Sequence, residues 1–336
     1  MSACLRQKGT EMKDIPILDL ADYLSGREGS IDNTASELRY ALEKIGFFYI
    51  VNHGFPTTLL QSAFAEVARF HAQPYQWKQQ FAVNDHHCGY IFTGAEVARS
   101  SEYHTGTLRP DVVEAFMIKR DRAPVPIEDV NQWPGDLPGF RETLVEYFEA
   151  AEALFRRILP IFAVSLELAP DHFNSMFGQH EALNVLRASH YPHDVPLAEN
   201  QFHISPHTDS GFITMLPLTD VPGLELLSPA EKDWFPAPYV PNSFVINSGD
   251  LMKRWTNGRF LSTPHRVLND SGRDRYALPL FVSPNPDEVI ECLPTCESED
   301  NPPKEPPITS AAYQEWFMKK NFQHAAGDDW NDVLKM

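Results

Sequence analysis

The sequence is poor in cysteine and contains no long apolar run. Four of its 336 residues are cysteine, too few for the disulfide framework of a small secreted protein, so we expect a reducing, cytoplasmic setting. Cys292 and Cys296 stand at a CxxxC spacing without a second Cys/His pair nearby, which favours ordinary thiols over a zinc site. No stretch approaches the roughly 18 apolar residues of a membrane-spanning helix, and residues 1–14 lack the apolar segment of a secretory leader.

Basic residues are also scarce. The chain has 28 Lys and Arg against 46 Asp and Glu, which gives a formal net charge of −18. Such a chain lacks the positive footprint that binds nucleic acid and is repelled by anionic membranes, so neither partner is expected. Hydrophobic residues make up 43% of the sequence and aromatic residues 12%, enough for a sizeable core.

Hydrophobic periodicity divides the chain into an α/β part, a helical connector and a β-rich part. We predict an N-terminal α/β domain at 14–120, a helical connector at 121–180, a β domain at 181–290, and a linker with a C-terminal helix at 291–336.

Individual elements follow from the same patterns. Residues 47–51 form an aromatic, β-branched run that predicts a buried strand, and helix spacing recurs from 140 to 168. Pro160 should kink or divide that helix. Residues 86–109, rich in Gly, Ser, Thr and His, are predicted to be a long loop.

The β part contains a histidine-carboxylate pair. In a strand His207 and Asp209 would project to the same face, where an imidazole and a carboxylate require a partner or a metal. His265 could supply a third ligand, and two histidines with one carboxylate form the facial triad of non-haem Fe(II) oxygenases. His203, four residues before His207, would share that face, but we interpret it as a supporting or surface residue.

Arg275 follows His265 by ten residues and would share one strand face with Ala277. An arginine in the mouth of a barrel needs an anion, and a carboxylate fits its two-pronged geometry. The carboxylate of a dicarboxylic co-substrate would be suitable.

These motifs resemble the iron(II)/2-oxoglutarate-dependent dioxygenases of the isopenicillin N synthase type. The resemblance covers nearly the whole chain. Its motifs are IPILDL at 15–20, GFFYIVNHG at 46–54, YP at 191–192, PHTD at 206–209, GL at 223–224, VINSGD at 245–250, TNG at 256–258 and PHRV at 264–267.

The resemblance implies a mainly β protein with an α/β N-terminal part, whose double-stranded β-helix (jelly-roll) core is flanked by helices. It implies Fe(II) bound by His207, Asp209 and His265, and 2-oxoglutarate held by Arg275 with Tyr191 as a further contact. O2 would be the oxidant, and ascorbate could act as reductant. We therefore expect an oxygenase that hydroxylates, desaturates or cyclises a small organic substrate and releases succinate and CO2, as a monomer or weak homo-oligomer.

Two departures from the family pattern leave alternatives open. The family's Arg-x-Ser is here Arg275-Tyr276-Ala277, so one hydroxyl is missing from the expected 2-oxoglutarate site, and Ser189 stands where plant members often have Asn. One alternative is an ethylene- and succinate-forming enzyme that acts on 2-oxoglutarate itself. Another is an oxidase of the isopenicillin N synthase kind, which uses no 2-oxoglutarate.

Two alternatives lie outside this class. One is a non-catalytic jelly roll, which the intact triad disfavours. The other is a zinc hydrolase, for which no general base is evident. By analogy with the family, the substrate pocket is expected near Tyr90, Phe212, Phe281 and Phe317.

Overall fold

The computed structural model describes residues 14–97, 109–120, 131–178 and 182–322. Helices dominate the first half of this part of the chain and strands the second. The α-helices are α1 (Ala21–Leu24), α2 (Ser30–Lys44), α3 (Thr57–His71), α4 (Tyr75–Lys78), α5 (Phe140–Ser165), α6 (Asp250–Trp255) and α7 (Ser310–Asn321).

The strands are short, and all but a few are largely buried. They are β1 (Ile17–Asp19), β2 (Phe47–Val51), β3 (Gly89–Ile91), β4 (Glu114–Lys119), β5 (Val185–Tyr191), β6 (Ile204–His207), β7 (Ile213–Pro217), β8 (Leu224–Leu227), β9 (Trp234–Pro236), β10 (Phe244–Ser248), β11 (His265–Val267), β12 (Arg275–Ala277), β13 (Leu280–Val282), β14 (Val289–Ile290) and β15 (Ile308–Thr309).

Two sheets build the core. The larger has the order β1-β2-β10-β7-β13-β5-β4-β3, with β12 also paired to β5, and the smaller has the order β6-β11-β8-β9. Except for the parallel β1–β2 pair, the strands of both sheets are antiparallel. This is the predicted jelly-roll core with its α/β N-terminal part, whose strands extend the larger sheet at both ends.

Helix α5 packs against α2 and α3 and carries much of the core. It runs unbroken through Pro160, so of the two predicted outcomes division of the helix is wrong, and a kink stays a prediction. An internal proline costs a helix about 3 kcal/mol or more. Its neighbours Leu159 and Ile161 are buried, and burial of such side chains, at roughly 1.5–3 kcal/mol each, offsets that cost.

Gly46 connects α2 to β2 in a conformation that excludes other residues. Its φ is +77°, and an added Cβ would lie 2.8 Å from the Leu261 carbonyl oxygen and also meet the Thr263 side chain. This close approach places the following residue, Phe47, against the His265 ring at 5.4 Å between centroids. The N-terminal part therefore packs directly against the β domain.

The structure changes one prediction about the connections. Part of the stretch 86–109 is strand β3, which pairs with β4, and residues 98–108 lie outside the described residues. In the described part of the chain, no helix is both long and apolar enough to cross a membrane.

Candidate functional site

Strand pairing brings two histidines together. His207 ends β6, and His265 begins β11 directly opposite it in the antiparallel register. Residues opposite each other in such a pair point to the same face, and the two rings lie 4.3 Å apart between centroids.

Each of these histidines has one ring nitrogen already engaged. His207 Nδ1 lies 2.9 Å from the Ser205 carbonyl oxygen, and His265 Nδ1 lies 3.2 Å from the Thr263 carbonyl oxygen. A carbonyl only accepts hydrogen bonds, so both Nδ1 atoms carry the hydrogen. The Nε2 lone pairs of the neutral rings are thereby left available to a metal.

Asp209 completes the cluster. It lies just beyond the end of β6 rather than within a strand, which corrects the expectation that strand alternation aligns it with His207. A tertiary contact holds its backbone there, because its carbonyl accepts the Asp250 N–H at the start of α6 at 2.8 Å. Asp209 Oδ1 lies 3.6 Å from both His207 Nε2 and His265 Nε2.

The second oxygen of Asp209 is held by the larger sheet. Oδ2 accepts hydrogen bonds from Asn247 Nδ2 at 2.7 Å and from the Thr214 hydroxyl. The carboxylate is therefore oriented, with Oδ1 facing the two imidazoles. Three ligand atoms lie within 4.8 Å of one another, a spacing that could hold a metal ion.

The protonation states suit metal binding. Burial alone would raise the pKa of Asp209, but His265, His207 and the hydrogen bond from Asn247 hold it well below the usual carboxyl range. Burial and the neighbouring His207 lower the pKa of His265 to about 4. At neutral pH the cluster thus offers an ionised carboxylate and at least one unprotonated imidazole.

Arg275 lies on β12 opposite Tyr191 of β5. Its side chain is buried, its guanidinium carbon lies 4.8 Å from the centre of the Tyr191 ring, and its Nε and Nη1 have no hydrogen-bond partner within the described residues. A buried cation without an acidic partner is costly, so the site is suited to an anion.

The register of β12 against β5 also shows where the two departures from the family pattern, Ala277 and Ser189, lie. Ala277 of β12 is paired with Ser189 of β5, so the Ser189 side chain lies opposite the position where the family has its serine. The Ser189 hydroxyl oxygen accepts a hydrogen bond from Arg187 Nε at 3.0 Å.

His203 is not placed to bind the metal. Its Nε2 lies 3.0 Å from the Pro192 carbonyl oxygen, and its Nδ1 accepts the Asn269 N–H at 3.0 Å. Both ring nitrogens are occupied, in keeping with a supporting role. The ring is buried rather than at the surface.

A cavity of about 140 Å³ adjoins His207 and Asp209. Tyr191 lines it, as do Phe281 and Phe317, two of the expected pocket residues. Of the others, Phe212 lies in the core and packs against Phe162, while Tyr90 is buried and its hydroxyl bonds to Glu114. Apolar residues form most of the remaining wall: Val97, Met117, Leu183, Val185, Ile204, Pro279, Met318 and Phe322.

Several buried charged groups were missed in the sequence, among them Asp111, which lines the cavity and accepts hydrogen bonds from Ser205. Glu96 and Arg187 line the cavity and form an ion pair, with Arg187 Nη1 2.9 Å from Glu96 Oε2. Arg187, Ser189 and Tyr191 alternate along β5, and this period of two is the one signal that could have pointed to Arg187.

A further missed group is centred on Glu114. Both of its oxygens accept from Lys78 Nζ, at 2.9 and 2.7 Å, and Oε1 lies 2.8 Å from His190 Nδ1 and 3.2 Å from His71 Nδ1. The two histidines and the carboxylate have a spacing that could hold a metal, but the lysine ammonium already supplies the positive charge.

Comparison with known proteins identifies the family. A model described as "non-haem dioxygenase in morphine synthesis N-terminal" matches residues 15–136, and one described as "2OG-Fe(II) oxygenase superfamily" matches residues 181–284. The chain is 33% identical over 307 residues to the 2-oxoglutarate-Fe(II) type oxidoreductase hxnY of Emericella nidulans, covering 88% of this chain and 86% of that protein. This chain belongs to the 2OG-Fe(II) oxygenase superfamily.

Two further members of the superfamily are similar to this chain over most of its length. Kihadalactone A synthase LFS of Citrus sinensis is 33% identical over 336 residues, covering 95% of this chain and 96% of that protein. A crystal structure of a full-length Neurospora crassa protein in complex with alpha-KG, which is 2-oxoglutarate, is 28% identical with a TM-score of 0.79, covering 93% of this chain and 96% of that chain.

The enzyme class and cofactors follow from these relatives. The protein is an Fe(II)- and 2-oxoglutarate-dependent oxygenase that uses O2, oxidises a small organic substrate and releases succinate and CO2. The main prediction of activity and cofactors is confirmed.

Proposed function

We propose that His207 Nε2, Asp209 Oδ1 and His265 Nε2 hold the Fe(II) of this oxygenase. The observation that carries the proposal is the division of labour within each side chain. His207 Nδ1 is bonded to the Ser205 carbonyl, His265 Nδ1 to the Thr263 carbonyl, and Asp209 Oδ2 to Thr214 and Asn247. The other nitrogen or oxygen of each side chain is left facing the common centre. Two imidazoles and one carboxylate leave coordination positions open, as a non-haem iron site requires and a closed structural zinc site does not.

Arg275 and Tyr191 hold 2-oxoglutarate in the same proposal. The distal carboxylate of 2-oxoglutarate would be the anionic partner of the Arg275 guanidinium, which has unpartnered donors in the described residues. The Tyr191 ring lies over the guanidinium and limits its movement. Bound iron and 2-oxoglutarate would supply the oxidising chemistry.

The protein's own contribution is orientation and exclusion of water. Asn247 and Thr214 orient the carboxylate of Asp209, and the carbonyls of Ser205 and Thr263 set the tautomers of the histidines. The largely apolar cavity, closed on one side by Phe317 and Met318 of α7, would hold the substrate beside His207 and keep water away.

Anaerobic titration tests the assignment. Purified protein is loaded with Fe(II) and 2-oxoglutarate, and the visible charge-transfer band of the chelate is recorded with the bound iron. We expect His207→Ala, Asp209→Ala and His265→Ala each to abolish tight iron binding, while His172→Gln, outside the cluster, leaves it unchanged. Iron binding that survives all three substitutions would place the metal elsewhere.

Product analysis addresses the reaction outcome. Hydroxylation, desaturation and cyclisation differ in product mass, so mass spectrometry distinguishes them once a substrate is found. Ethylene formation from 2-oxoglutarate stays a prediction, to be checked in the headspace of the same reactions.

The cellular setting and assembly remain proposals as well. We propose a cytoplasmic protein that is a monomer or a weak homo-oligomer. The free thiols Cys292 and Cys296 support the cytoplasmic setting. Light scattering after size exclusion, at two protein concentrations, would measure the mass. A concentration-independent dimer would contradict the proposal.

A further inference from the structure

Helix α7 forms one wall of the cavity beside His207, but it is only lightly anchored. It contributes Phe317 and Met318 to the lining of the cavity, yet of its 12 residues only Ser310 and Asn321 are buried. A segment with few buried contacts opens more readily than the rest of a fold. The hydrogen bonds that α7 makes to neighbouring elements therefore matter for how firmly it is held.

One of these hydrogen bonds leads to the backbone of a proposed iron ligand. The Tyr313 hydroxyl donates to Asp250 Oδ2 at 3.0 Å, and the Thr208 hydroxyl donates to the same oxygen at 3.3 Å. The backbone N–H of Asp250 donates to the Asp209 carbonyl oxygen at 2.8 Å. Asp250 therefore holds residues 208 and 209 through both its side chain and its backbone, and Tyr313 connects Asp250 to α7.

Gln314, the next residue of α7, contacts the same segment directly. Its Oε1 accepts a hydrogen bond from the Ser210 hydroxyl at 3.1 Å, and its Nε2 donates to the Ser283 hydroxyl oxygen at 3.0 Å. Ser283 directly follows β13 of the larger sheet. Two consecutive residues of α7 are thus connected to the chain on both sides of Asp209.

The start of α6 fits closely against the segment that carries Asp209. The N–H of Gly249, which precedes α6, donates to the Phe212 carbonyl oxygen at 3.0 Å. A Cβ added to Gly249 would lie 2.9 Å from the Asp209 carbonyl oxygen, so the two backbones are in close approach. Closely packed groups transmit a displacement instead of absorbing it. A shift of Asp250 is therefore passed on to Asp209.

We propose that Tyr313 is a positioning residue for the iron site. Through Asp250 it couples the docking of α7 against the cavity to the placement of Thr208 and Asp209, and Gln314 provides a second connection. Iron bound by Asp209 then holds α7 more firmly, and a docked α7 keeps Asp209 in place for iron, because coupling between two sites is reciprocal. The inference rests on the proposed function, since Asp209 must bind iron for the coupling to exist.

Native-state amide hydrogen exchange tests this coupling without a substrate. The exchange rates of the α7 amides are measured anaerobically by mass spectrometry, in the apoprotein and in the protein loaded with Fe(II) and 2-oxoglutarate. We expect loading to slow exchange in α7 by about 5- to 150-fold, the usual range for coupling between two sites. Equal exchange rates in the two states would overturn the proposal.

Tyr313→Phe separates positioning from simple anchoring. The variant keeps the ring and removes the hydroxyl that bonds to Asp250. If Tyr313 only anchors α7, exchange accelerates by the same factor in both states, and the slowing on loading is unchanged. We expect instead that the slowing on loading is largely lost. We also expect Fe(II) to bind about 10-fold more weakly, the lower end of the effect of outer contacts on metal affinity. A slowing that survives in full would contradict the proposal.

Two further variants complete the comparison. Ser210→Ala removes the second connection to α7 and should also reduce the slowing on loading, most strongly in combination with Tyr313→Phe. Lys319→Gln is the matched control on α7, because it breaks the exposed pair between Lys319 and Glu315 and should leave the slowing on loading unchanged. A loss in Lys319→Gln as large as in Tyr313→Phe would mean that any weakening of α7 has this effect, and would overturn the proposal.

The loading step separates this inference from the proposed function. If the visible band shows that Fe(II) and 2-oxoglutarate bind, and α7 exchanges alike with and without them, the coupling alone is wrong. If the band depends on none of the three proposed ligands, the proposed iron site itself is wrong.

Discussion

Asn247 Nδ2 donates a hydrogen bond of 2.7 Å to Asp209 Oδ2, which leaves Asp209 Oδ1 to face the two imidazoles. This contact joins β10 of the larger sheet to the candidate metal centre on the smaller one. The site therefore depends on how the two sheets pack as well as on the ligands themselves.

Removal of this contact should weaken iron binding. In Asn247→Leu the carboxylate loses one of its two orienting donors, and loss of such outer contacts costs about 10- to 100-fold in metal affinity. Fe(II) titration of the apoprotein measures the effect. Asn33→Leu, a surface substitution on α2, is the control and should bind iron as the wild type does. An unchanged affinity in Asn247→Leu would show that Thr214 alone orients Asp209.

Arg275 should determine affinity for 2-oxoglutarate. Arg275→Gln removes the buried cation, and loss of one or two hydrogen bonds to a charged group predicts a rise in the KM for 2-oxoglutarate of about 10- to 100-fold or more. Succinate release measures it. Arg273→Gln removes a nearby, exposed arginine that pairs with Asp220, and its KM should stay within about twofold of wild type. A small effect of Arg275→Gln would direct attention to Arg187 as the 2-oxoglutarate receptor.

Ser189 could supply the hydroxyl group that is missing at position 277, where this chain has alanine. Its side chain lies opposite Ala277 on the neighbouring strand. Its hydroxyl oxygen accepts the hydrogen bond from Arg187 Nε, so the hydroxyl hydrogen can still be donated to another group. Ser189→Ala should raise the KM for 2-oxoglutarate by about 10-fold, the effect of one hydrogen bond to a charged group.

The double variant Ser189→Ala/Ala277→Ser is the matched rescue. It restores one hydroxyl on the opposite strand, and its KM should return toward the wild-type value. If the double variant is as impaired as Ser189→Ala, the serine supports Arg187 instead of 2-oxoglutarate.

The strands and the triad residues could be predicted because their signals are local. The aromatic and β-branched run at 47–51 predicted β2 with its exact bounds, and residue type with spacing selected His207, Asp209 and His265. Exact placement depended on tertiary contacts. Asp209 lies beyond its strand, where its carbonyl accepts the N–H of Asp250, 41 residues later in the chain, and no periodicity encodes such a long-range contact.

The buried charges could not be predicted in the same way. Glu96 and Arg187 are 91 residues apart, and the Glu114 cluster draws Lys78, His71 and His190 from separate helices and strands. A charged residue in a sequence most often indicates a solvated surface. Only the fold shows which acid meets which base, and which of their atoms remain open.

The cluster around Glu114 should make stability depend on pH. Burial alone would raise the pKa of Glu114, but hydrogen bonds from His190, His71 and Lys78 hold it far below the ordinary carboxyl value of 4.5. Folding therefore favours the ionised form. Its contribution to the free energy of unfolding is fully present above pH 4.5 and is lost as the pH falls below that value, where the unfolded chain takes up the proton first.

Glu114→Gln tests this dependence against an exposed control. At pH 7.5 the variant leaves the Lys78 ammonium buried without its counterion, which should lower the free energy of unfolding by about 3–5 kcal/mol. Urea denaturation at pH 7.5, 5.5 and 4.0 should show the gap between wild type and Glu114→Gln narrowing by about 0.8 kcal/mol at the lowest pH, because the wild type alone loses stability from this group. Glu146→Gln, on the exposed face of α5, should stay close to wild type at every pH. A gap that is constant from pH 7.5 to 4.0 would mean that Glu114 is not held ionised by Lys78 and the two histidines.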